Sequence, residues 1–294
     1  MNQKKWIYVL MTLCCVTVVF WLTGLVMAFQ QTGSAVQVAE APVTTTEVNA
    51  QAVAVSANAA AIKDGQLRVV ALGDSLTKGT GDATGGGYVG YVEKQLEAGF
   101  QKKNIPVMMN NFGINGYVSA QLLELLDQPK VQAELKVADL ILMSIGGNDL
   151  FKGGKTLANQ NQQEVDQIQQ DFQKQLLAIV QKIRKMNPES PLLMIGLYNP
   201  FGQSKEEDWT NQVVRHWNMV TADTLSVDKH TVLVPTYDLF QLETKLYLHS
   251  DQFHPNAVGY MRMAQRVMEA MPTHLEGTSI VPSVPNNAPG GQKE

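Results

Sequence analysis

The sequence predicts an α/β fold in which a parallel β-sheet is covered on both faces by helices. Three observations support this prediction: short apolar runs recur along residues 63–277, longer amphipathic segments separate them, and glycine or proline bounds several runs. Strands that alternate with helices of this length form βαβ units, whose parallel strands are buried on both faces. We expect one domain, because a segment of this size suits a single core.

Five apolar runs are the predicted strands. The first, Leu-Arg-Val-Val-Ala-Leu, ends at Gly73, and the last is bounded by Pro235. The predicted strands are 67–72, 107–112, 140–145, 192–197 and 231–234. The amphipathic segments predict helices at 88–100, 119–126, 163–186, 209–225 and 256–271.

The N-terminal segment gives a separate prediction. Residues 6–29 are almost wholly apolar and uncharged, and Lys4 and Lys5 precede them. A membrane-spanning helix needs about 20 apolar residues, and lysines on its N-terminal side orient that end towards the cytoplasm. We expect residues 1–29 to be a cytoplasmic stub and an uncleaved signal anchor in the cell membrane, with the remaining chain on the extracytoplasmic side. The alternative is cleavage after Ala28 and secretion, although a signal peptide usually has a shorter apolar core.

The flanking segments have low sequence complexity. Residues 30–62 are rich in Ala, Val, Thr, Gln and Asn, which predicts a flexible spacer. Residues 278–294 are rich in Pro, Gly and Asn, which predicts a disordered tail. Both cysteines, Cys14 and Cys15, lie in the apolar N-terminal segment. The part beyond that segment therefore has no disulfide and no cysteine metal site.

Charge and composition exclude one class of partner. The net charge is −4, charged residues make up 17% of the chain, and no block of Lys and Arg occurs. Nucleic-acid-binding domains usually carry a basic patch. We therefore expect no nucleic-acid partner.

The first candidate functional residue follows the first strand. Active sites in open parallel sheets form beyond the carboxyl ends of the strands. Ser75 lies there, within Gly-Asp-Ser-Leu, where the free backbone N–H groups of a helix start are available. The alternative is that Asp74 or Ser75 only caps the helix. A phosphate-binding loop is excluded, because Lys78 precedes Gly79 instead of following it.

The loops after the second and third strands contain candidate oxyanion donors. Glycines in the loop 111–116 allow backbone N–H groups to approach a ligand closely. After the third strand, Gly-Gly-Asn-Asp carries the side-chain amide of Asn148, which can donate a hydrogen bond to a developing negative charge. Plain turns are the alternative in both loops.

A candidate base follows the fifth strand. Asp251 precedes His254 by three residues, so its carboxylate can reach Nδ1 and leave Nε2 free as a base. His249 is close by in the sequence but has no carboxylate placed as well.

These four segments together resemble the SGNH/GDSL hydrolases, which carry Ser, Gly, Asn and His in four sequence blocks. The matching residues here are Ser75, Gly116, Asn148 and His254. Gly113 is a rival in the second block, but the family pattern favours the glycine five residues after the asparagine of that block. The resemblance covers roughly residues 67–259. It implies a three-layer α/β/α flavodoxin-like fold with a five-stranded parallel sheet.

The resemblance also implies a serine esterase or lipase that requires no metal or organic cofactor. Ser75, Asp251 and His254 would be catalytic, and the oxyanion hole would comprise the backbone N–H groups of Ser75 and Gly116 and the amide of Asn148. The family hydrolyses short-chain esters, lysophospholipids and acetylated sugars. The alternatives are an acyltransferase on the same fold, which would pass the acyl group to a cell-envelope sugar, and a tethered binding protein.

Two further segments are candidates for lining the substrate pocket. Residues 197–202 follow the fourth strand on the active side of the sheet. Residues 151–170 form a polar insertion that would cover the site or decorate the surface.

Overall fold

Five strands form one fully parallel sheet in the order β2-β1-β3-β4-β5. The strands are β1 (Leu67–Gly73), β2 (Val107–Gly113), β3 (Leu140–Ser144), β4 (Leu192–Ile195) and β5 (Thr231–Val234). The computed structural model describes residues 62, 65–152, 155–156, 160–202, 204, 207–272 and 275.

Ten α-helices occur among the described residues, and a 3₁₀ turn (Gln101–Lys103) precedes β2. The longer helices are α2 (Gly87–Phe100), α3 (Ser119–Leu125), α4 (Pro129–Val137), α6 (Gln162–Met186), α7 (Glu207–Leu225) and α10 (Ala257–Ala270). The short helices are α1 (Ser75–Lys78), α5 (Gly147–Phe151), α8 (Tyr237–Gln241) and α9 (Thr244–Tyr247).

The sheet has an apolar core on each face, because side chains alternate along every strand. Val70 and Leu72 of β1 pack with buried residues of α3, α4, α6 and α7 on one face. Val69 and Ala71 pack with buried residues of α2 and α10 on the other. The predicted three-layer α/β/α architecture is confirmed.

Every predicted strand is present, and its boundaries differ by two residues at most. The prediction for β4 runs too far, to residue 197. At Leu197 the side chain of Asn218 replaces the neighbouring strand: it accepts from the Leu197 N–H at 2.8 Å and donates to the Leu197 carbonyl at 2.7 Å. The strand therefore ends before this residue.

The proposed insertion at 151–170 is wrong over its second half. Residues from Gln162 onward belong to α6, whose first turns bury Val165 and Ile168 in the apolar core. Asn161 caps this helix by accepting hydrogen bonds from the next turn. The polar residues of this stretch are the solvent face of a long amphipathic helix.

Three predicted segments lie outside the described residues and stay predictions: the anchor (1–29), nearly all of the spacer (30–62) and the tail (278–294). Within the part of the chain that the structure describes, no helix is both long enough and apolar enough to cross a membrane.

The candidate site lies beside β1, where the order of the strands in the sheet reverses. β1 has β2 on one side and β3 on the other, and a crevice opens at such a switch point. The two strand ends approach closely at Gly73, where an added Cβ would lie 2.1 Å from the carbonyl oxygen of Ser144. Gly73 also has a φ of +144°. Only glycine suits this junction.

Candidate active site

The turn after β1 presents Ser75 as the first residue of α1. Asp74 is the N-cap of this helix, and its carboxylate accepts a hydrogen bond from the Leu76 N–H at 3.0 Å. Gly79, with a φ of +93°, ends the helix after one turn. Because Asp74 supplies the cap, the Ser75 hydroxyl remains available for another partner.

The structure brings Ser75, His254 and Asp251 into one hydrogen-bonded chain. Ser75 Oγ lies 2.8 Å from His254 Nε2, and His254 Nδ1 lies 2.7 Å from Asp251 Oδ2. When Nδ1 carries the proton and donates a hydrogen bond to the carboxylate, Nε2 is left as an acceptor for the serine hydroxyl. This arrangement can activate a serine as a nucleophile.

The Asp251 carboxylate is held in place by its own turn. Its Oδ1 accepts hydrogen bonds from the backbone N–H groups of Phe253 and His254, each at 3.0 Å. Partial burial opposes ionisation, but these bonds and the one from the His254 side chain outweigh it and lower the pKa of Asp251 to about 2. The carboxylate therefore stays charged at neutral pH.

His249 does not take the place of His254. Its Nδ1 lies 3.7 Å from Asp251 Oδ2, and its side chain is 46% exposed, against 19% for His254. The choice of His254 over His249 agrees with this geometry.

Three contacts fix the loop that carries His254. Leu248 and Pro255 form an antiparallel bridge. The Tyr198 hydroxyl, from the loop after β4, donates to the Phe253 carbonyl at 2.6 Å. Gly81 lies against the loop so closely that an added Cβ would be 2.5 Å from the Pro255 carbonyl oxygen. The imidazole is thus positioned by two neighbouring loops.

The two glycines of the second block have different roles. An added Cβ on Gly113 would lie 2.4 Å from the backbone nitrogen of Lys78, so this glycine allows β2 to pack against α1. Gly116 has a φ of +79°, and an added Cβ would meet nothing within 4 Å. Gly116 is therefore required by the backbone conformation of an open loop, which is where a ligand-binding N–H would lie.

The neighbours of Gly116 tie it to both sides of the site. Asn115 Oδ1 accepts from the Thr80 hydroxyl, just after α1, at 2.8 Å. The Tyr117 carbonyl accepts from Asn148 Nδ2 at 2.9 Å. Gly116 therefore lies between a contact to the Ser75 turn and a contact to Asn148.

Asp149 holds the end of the same loop in place, a role that its sequence context did not predict. Its carboxylate accepts hydrogen bonds from the N–H and the hydroxyl of Ser119, the first residue of α3. Burial raises the pKa of Asp149, although the Ser119 hydrogen bonds partly oppose the shift. The adjacent residues Asn148 and Asp149 thus join the third block to the second.

A buried chain of polar side chains lies beneath the nucleophile. Ser144 Oγ donates to Asp74 Oδ1 at 2.7 Å, Thr77 Oγ1 lies 2.7 Å from Ser144 Oγ, and the Tyr88 hydroxyl lies 3.0 Å from Thr77 Oγ1. Burial raises the pKa of Asp74 to about 6, although the bonds from Ser144 and Leu76 partly oppose it.

This raised pKa gives a stability prediction for Asp74→Asn. In the wild type, the raised pKa of Asp74 contributes to the free energy of unfolding. This contribution is complete below the unfolded-state pKa of 3.8 and is lost as the pH rises through about 6. Asparagine keeps a capping oxygen but does not titrate. The free energy of unfolding of the variant, relative to wild type, should rise by about 3 kcal/mol between acid and neutral pH. Urea denaturation over a pH series measures this difference.

Asp82→Asn is the opposite-sign control for that experiment. Burial of Asp82 opposes ionisation, but hydrogen bonds from Thr84 and Gly87 outweigh it and lower the pKa. The contribution of Asp82 to the free energy of unfolding is therefore present at neutral pH and lost on acidification. If wild type and Asp74→Asn differed in free energy of unfolding by the same amount at every pH, the raised pKa of the buried Asp74 would be contradicted.

Two cavities that share part of their lining lie at the site, and the smaller one borders Ser75. A slot of about 20 Å³ is lined by Asp74, Ser75, Leu76, Gly147, Asn148, Phe151, Leu197, Tyr198, Pro200 and Phe253. A groove of about 460 Å³ shares Asn148, Phe151, Pro200 and Phe253 with the slot. The expectation that residues 197–202 line the pocket agrees with this geometry. Across the described residues, no group of three or more His, Cys, Asp or Glu side chains could hold a metal ion.

Sequence comparisons identify the family and two relatives of this chain. Residues 71–262 match the GDSL-like Lipase/Acylhydrolase family. The protein YpmR of Bacillus subtilis is 37% identical over 211 residues, which cover 69% of this chain and 80% of that protein. The spore germination lipase LipC of Bacillus licheniformis is 28% identical over 217 residues, which cover 72% of this chain and 99% of that protein.

Solved structures share the fold. The lipase Lip_vut3 from a goat rumen metagenome superposes with a TM-score of 0.63 at 26% identity, covering 70% of this chain and 97% of that one. The acetylxylan esterase Axe2 of Geobacillus stearothermophilus gives a TM-score of 0.54 at 20% identity, covering 74% and 96%, and shows the fold alone. Because the family match spans well over half of the chain, this protein belongs to the GDSL-like lipase/acylhydrolase family of ester hydrolases.

Proposed function

We propose that this chain is a serine esterase that hydrolyses carboxylic esters through Ser75, His254 and Asp251. The observation that carries the proposal is the relay from Ser75 Oγ to His254 Nε2 and from His254 Nδ1 to Asp251, with distances of 2.8 and 2.7 Å. Such a relay matches the geometry of a nucleophile, a base and a group that orients the base.

In the first half of the reaction, His254 Nε2 takes the proton of Ser75 as Oγ attacks the ester carbonyl carbon. The imidazolium that forms is stabilised by the Asp251 carboxylate, which does not itself become protonated. His254 then gives the proton to the leaving alkoxide, the carbon–oxygen bond breaks, and an acyl group remains on Ser75.

In the second half, water replaces the alcohol. His254 takes a proton from water as its oxygen attacks the acyl carbon, and returns that proton to Ser75 Oγ when the carboxylic acid leaves. The products are one alcohol and one carboxylic acid. No redox step or cofactor enters this sequence.

The oxyanion of each tetrahedral intermediate would be met by three donors. The backbone N–H of Ser75 lies at the N-terminus of α1, and Gly116 lies in an open loop. Asn148 Nδ2 carries two hydrogens. One is donated to the Tyr117 carbonyl at 2.9 Å, which orients the amide, and the second is left for substrate.

Replacement of Asn148 by alanine tests this arrangement. The loss of one oxyanion donor should lower kcat by about 10²–10³-fold with little change in KM. The measurement is steady-state hydrolysis of p-nitrophenyl acetate by the purified protein. Asn110→Ala is the matched control, because the amide of Asn110, on β2, donates to Glu134 of α4 and not to a residue of the site. Equal kcat values for Asn148→Ala and Asn110→Ala would remove Asn148 from the oxyanion hole.

The identity of the acceptor is tested in the same assay. A hydrolase releases free carboxylic acid at an unchanged rate when a polyol is added. Transfer of most of the acyl group to the polyol would instead support the acyltransferase alternative.

The predicted anchor bears on the available substrates. Ser75 follows the apolar segment 6–29 by about 45 residues. If that segment spans the membrane, as its length predicts, the site would work outside the cell. Envelope lipids and O-acetylated wall polymers would then be accessible esters.

A further inference from the structure

Three phenylalanines from three separate segments of the chain meet at the boundary between the slot and the groove. Phe151 ends α5, Phe201 follows β4, and Phe253 directly precedes His254. The ring centroids of Phe151 and Phe201 are 5.1 Å apart, those of Phe151 and Phe253 are 6.0 Å apart, and those of Phe201 and Phe253 are 6.1 Å apart. We call these three residues the aromatic wall.

The aromatic wall is fixed by its surroundings. Phe151 is only 4% exposed and belongs to the apolar core. It packs edge-to-face on both of its partners, an arrangement that aromatic rings favour. The Phe253 ring lies 5.1 Å from the imidazole of His254, and its carbonyl accepts from the Tyr198 hydroxyl.

The slot on the Ser75 side of the wall is small and mostly apolar. Its lining includes the apolar side chains of Leu76, Leu197 and Pro200, and its volume is about 20 Å³. A cavity of about 10–15 Å³ on this measure holds one water molecule. The slot therefore has room for a group of methyl size and not for an alkyl chain.

The groove beyond the wall lies on the side of the base. Asp251 and Gln252, which lie in the loop of His254, line it together with Ser204 and Lys245. The leaving alkoxide receives its proton from His254, and we assign the alcohol portion of the ester to the groove because Asp251, Gln252 and Phe253 of the same loop line it. The groove, at about 460 Å³, accommodates a large polar alcohol. The acyl portion is thereby assigned to the slot.

We propose that the aromatic wall sets the acyl length, so that this esterase takes acetate esters of larger, polar alcohols. This inference rests on the proposed function, because it assumes that Ser75 is acylated. Phe151 is the central specificity-determining residue, since it contacts both other rings and lines both cavities. Removal of the Phe151 side chain would join the slot to the groove.

The test compares acyl lengths on one constant alcohol. We would measure kcat/KM for p-nitrophenyl acetate, butyrate and octanoate with the purified wild type and Phe151→Ala. In the wild type, acetate should exceed octanoate by at least about tenfold, because each misfit methylene in a closed pocket costs on the order of 10-fold or more. Phe151→Ala should raise the octanoate-to-acetate ratio by about tenfold or more.

A second variant covers the case in which Phe151→Ala does not fold. Phe201 is half-buried and lines the groove but not the slot, so Phe201→Ala removes support for Phe151 at less risk to the core. It should raise the octanoate-to-acetate ratio in the same direction. Phe112→Ala is its matched control, because Phe112 is a half-buried phenylalanine on β2. This control should keep the wild-type ratio.

The two proposals fail in different ways. Equal rates on acetate and octanoate in the wild type, or an unchanged ratio in the folded wall variants, would overturn the aromatic wall as the length determinant while leaving the esterase intact. No hydrolysis of any of the three esters by the wild type would overturn the proposed function itself.

Discussion

Ser75→Ala is expected to lower kcat for p-nitrophenyl acetate by about 10⁶-fold. The substitution removes the hydroxyl oxygen that lies 2.8 Å from His254 Nε2 and that would attack the ester. The fold should be unaffected, because the cap of α1 comes from Asp74. Residual activity would come from water attacking substrate held in the oxyanion site.

The comparison for Ser75→Ala is Ser250→Ala. Ser250 is an exposed serine beside His249, in the loop that leads to Asp251. Ser250→Ala should hydrolyse the ester at the wild-type rate, and both variants should melt at the wild-type temperature. If folded Ser75→Ala retained more than a small fraction of the activity, another residue would be the nucleophile.

Asp251→Asn is expected to lower kcat by about 10⁴-fold. Asparagine keeps an oxygen that can accept the N–H groups of Phe253 and His254, so the turn should survive. Its amide, however, can donate to His254 Nδ1 and so hold the imidazole in the wrong tautomer, with the proton on Nε2. The neutral amide also cannot stabilise the imidazolium that forms after proton transfer.

His249→Gln is the companion variant for Asp251→Asn. His249 Nδ1 lies 3.7 Å from Asp251 Oδ2, so it would be the candidate base if the prediction were wrong. Near-wild-type kcat for His249→Gln, together with the large loss in Asp251→Asn, is the expected pattern. The reverse pattern would move the base to His249.

The protonation of Asp251 is expected only at strongly acid pH. Because its pKa is lowered to about 2, this carboxylate stays charged in the folded protein until the pH falls through about 2. The stability that the charge contributes is complete above the unfolded-state pKa of 3.8 and is lost as the pH falls through about 2. A loss of wild-type activity at moderately acid pH is therefore not attributed to protonation of Asp251.

The sheet could be predicted because its strands are fully buried. The residues of β1, β3 and β4 are apolar with few exceptions and lie between turn residues, which gives a clear pattern in sequence. The short helices α1, α5, α8 and α9 have four or five residues each, too few for an amphipathic period. Helix α4 escaped prediction for a different reason: only Val131 and Leu135 of its nine residues are buried, so its apolar face is weak in the sequence.

The residues of the site could be predicted because each lies at the end of a strand or the start of a helix. The local pattern could place Ser75, Asn148 and the pair Asp251 and His254 at one edge of the sheet. It left Gly113 and Gly116 as rivals, and only the packing of Gly113 against α1 separates their roles.

The supporting contacts could not be predicted, because they join segments that are far apart in sequence. The bond from Ser144 to Asp74 spans 70 residues, and the bond from Tyr198 to Phe253 spans 55. The aromatic wall likewise combines three segments that are far apart in sequence. Nothing in the local pattern around Phe151, Phe201 or Phe253 indicates that their rings meet.

Labelling with a fluorophosphonate probe tests the central claim most directly. The probe reacts with a serine only when that serine is activated as a nucleophile, and digestion followed by mass spectrometry locates the adduct. We predict one adduct per chain, on Ser75, with ester hydrolysis lost in proportion to labelling. An adduct on another residue, or full hydrolysis by protein whose Ser75 is completely labelled, would contradict the account.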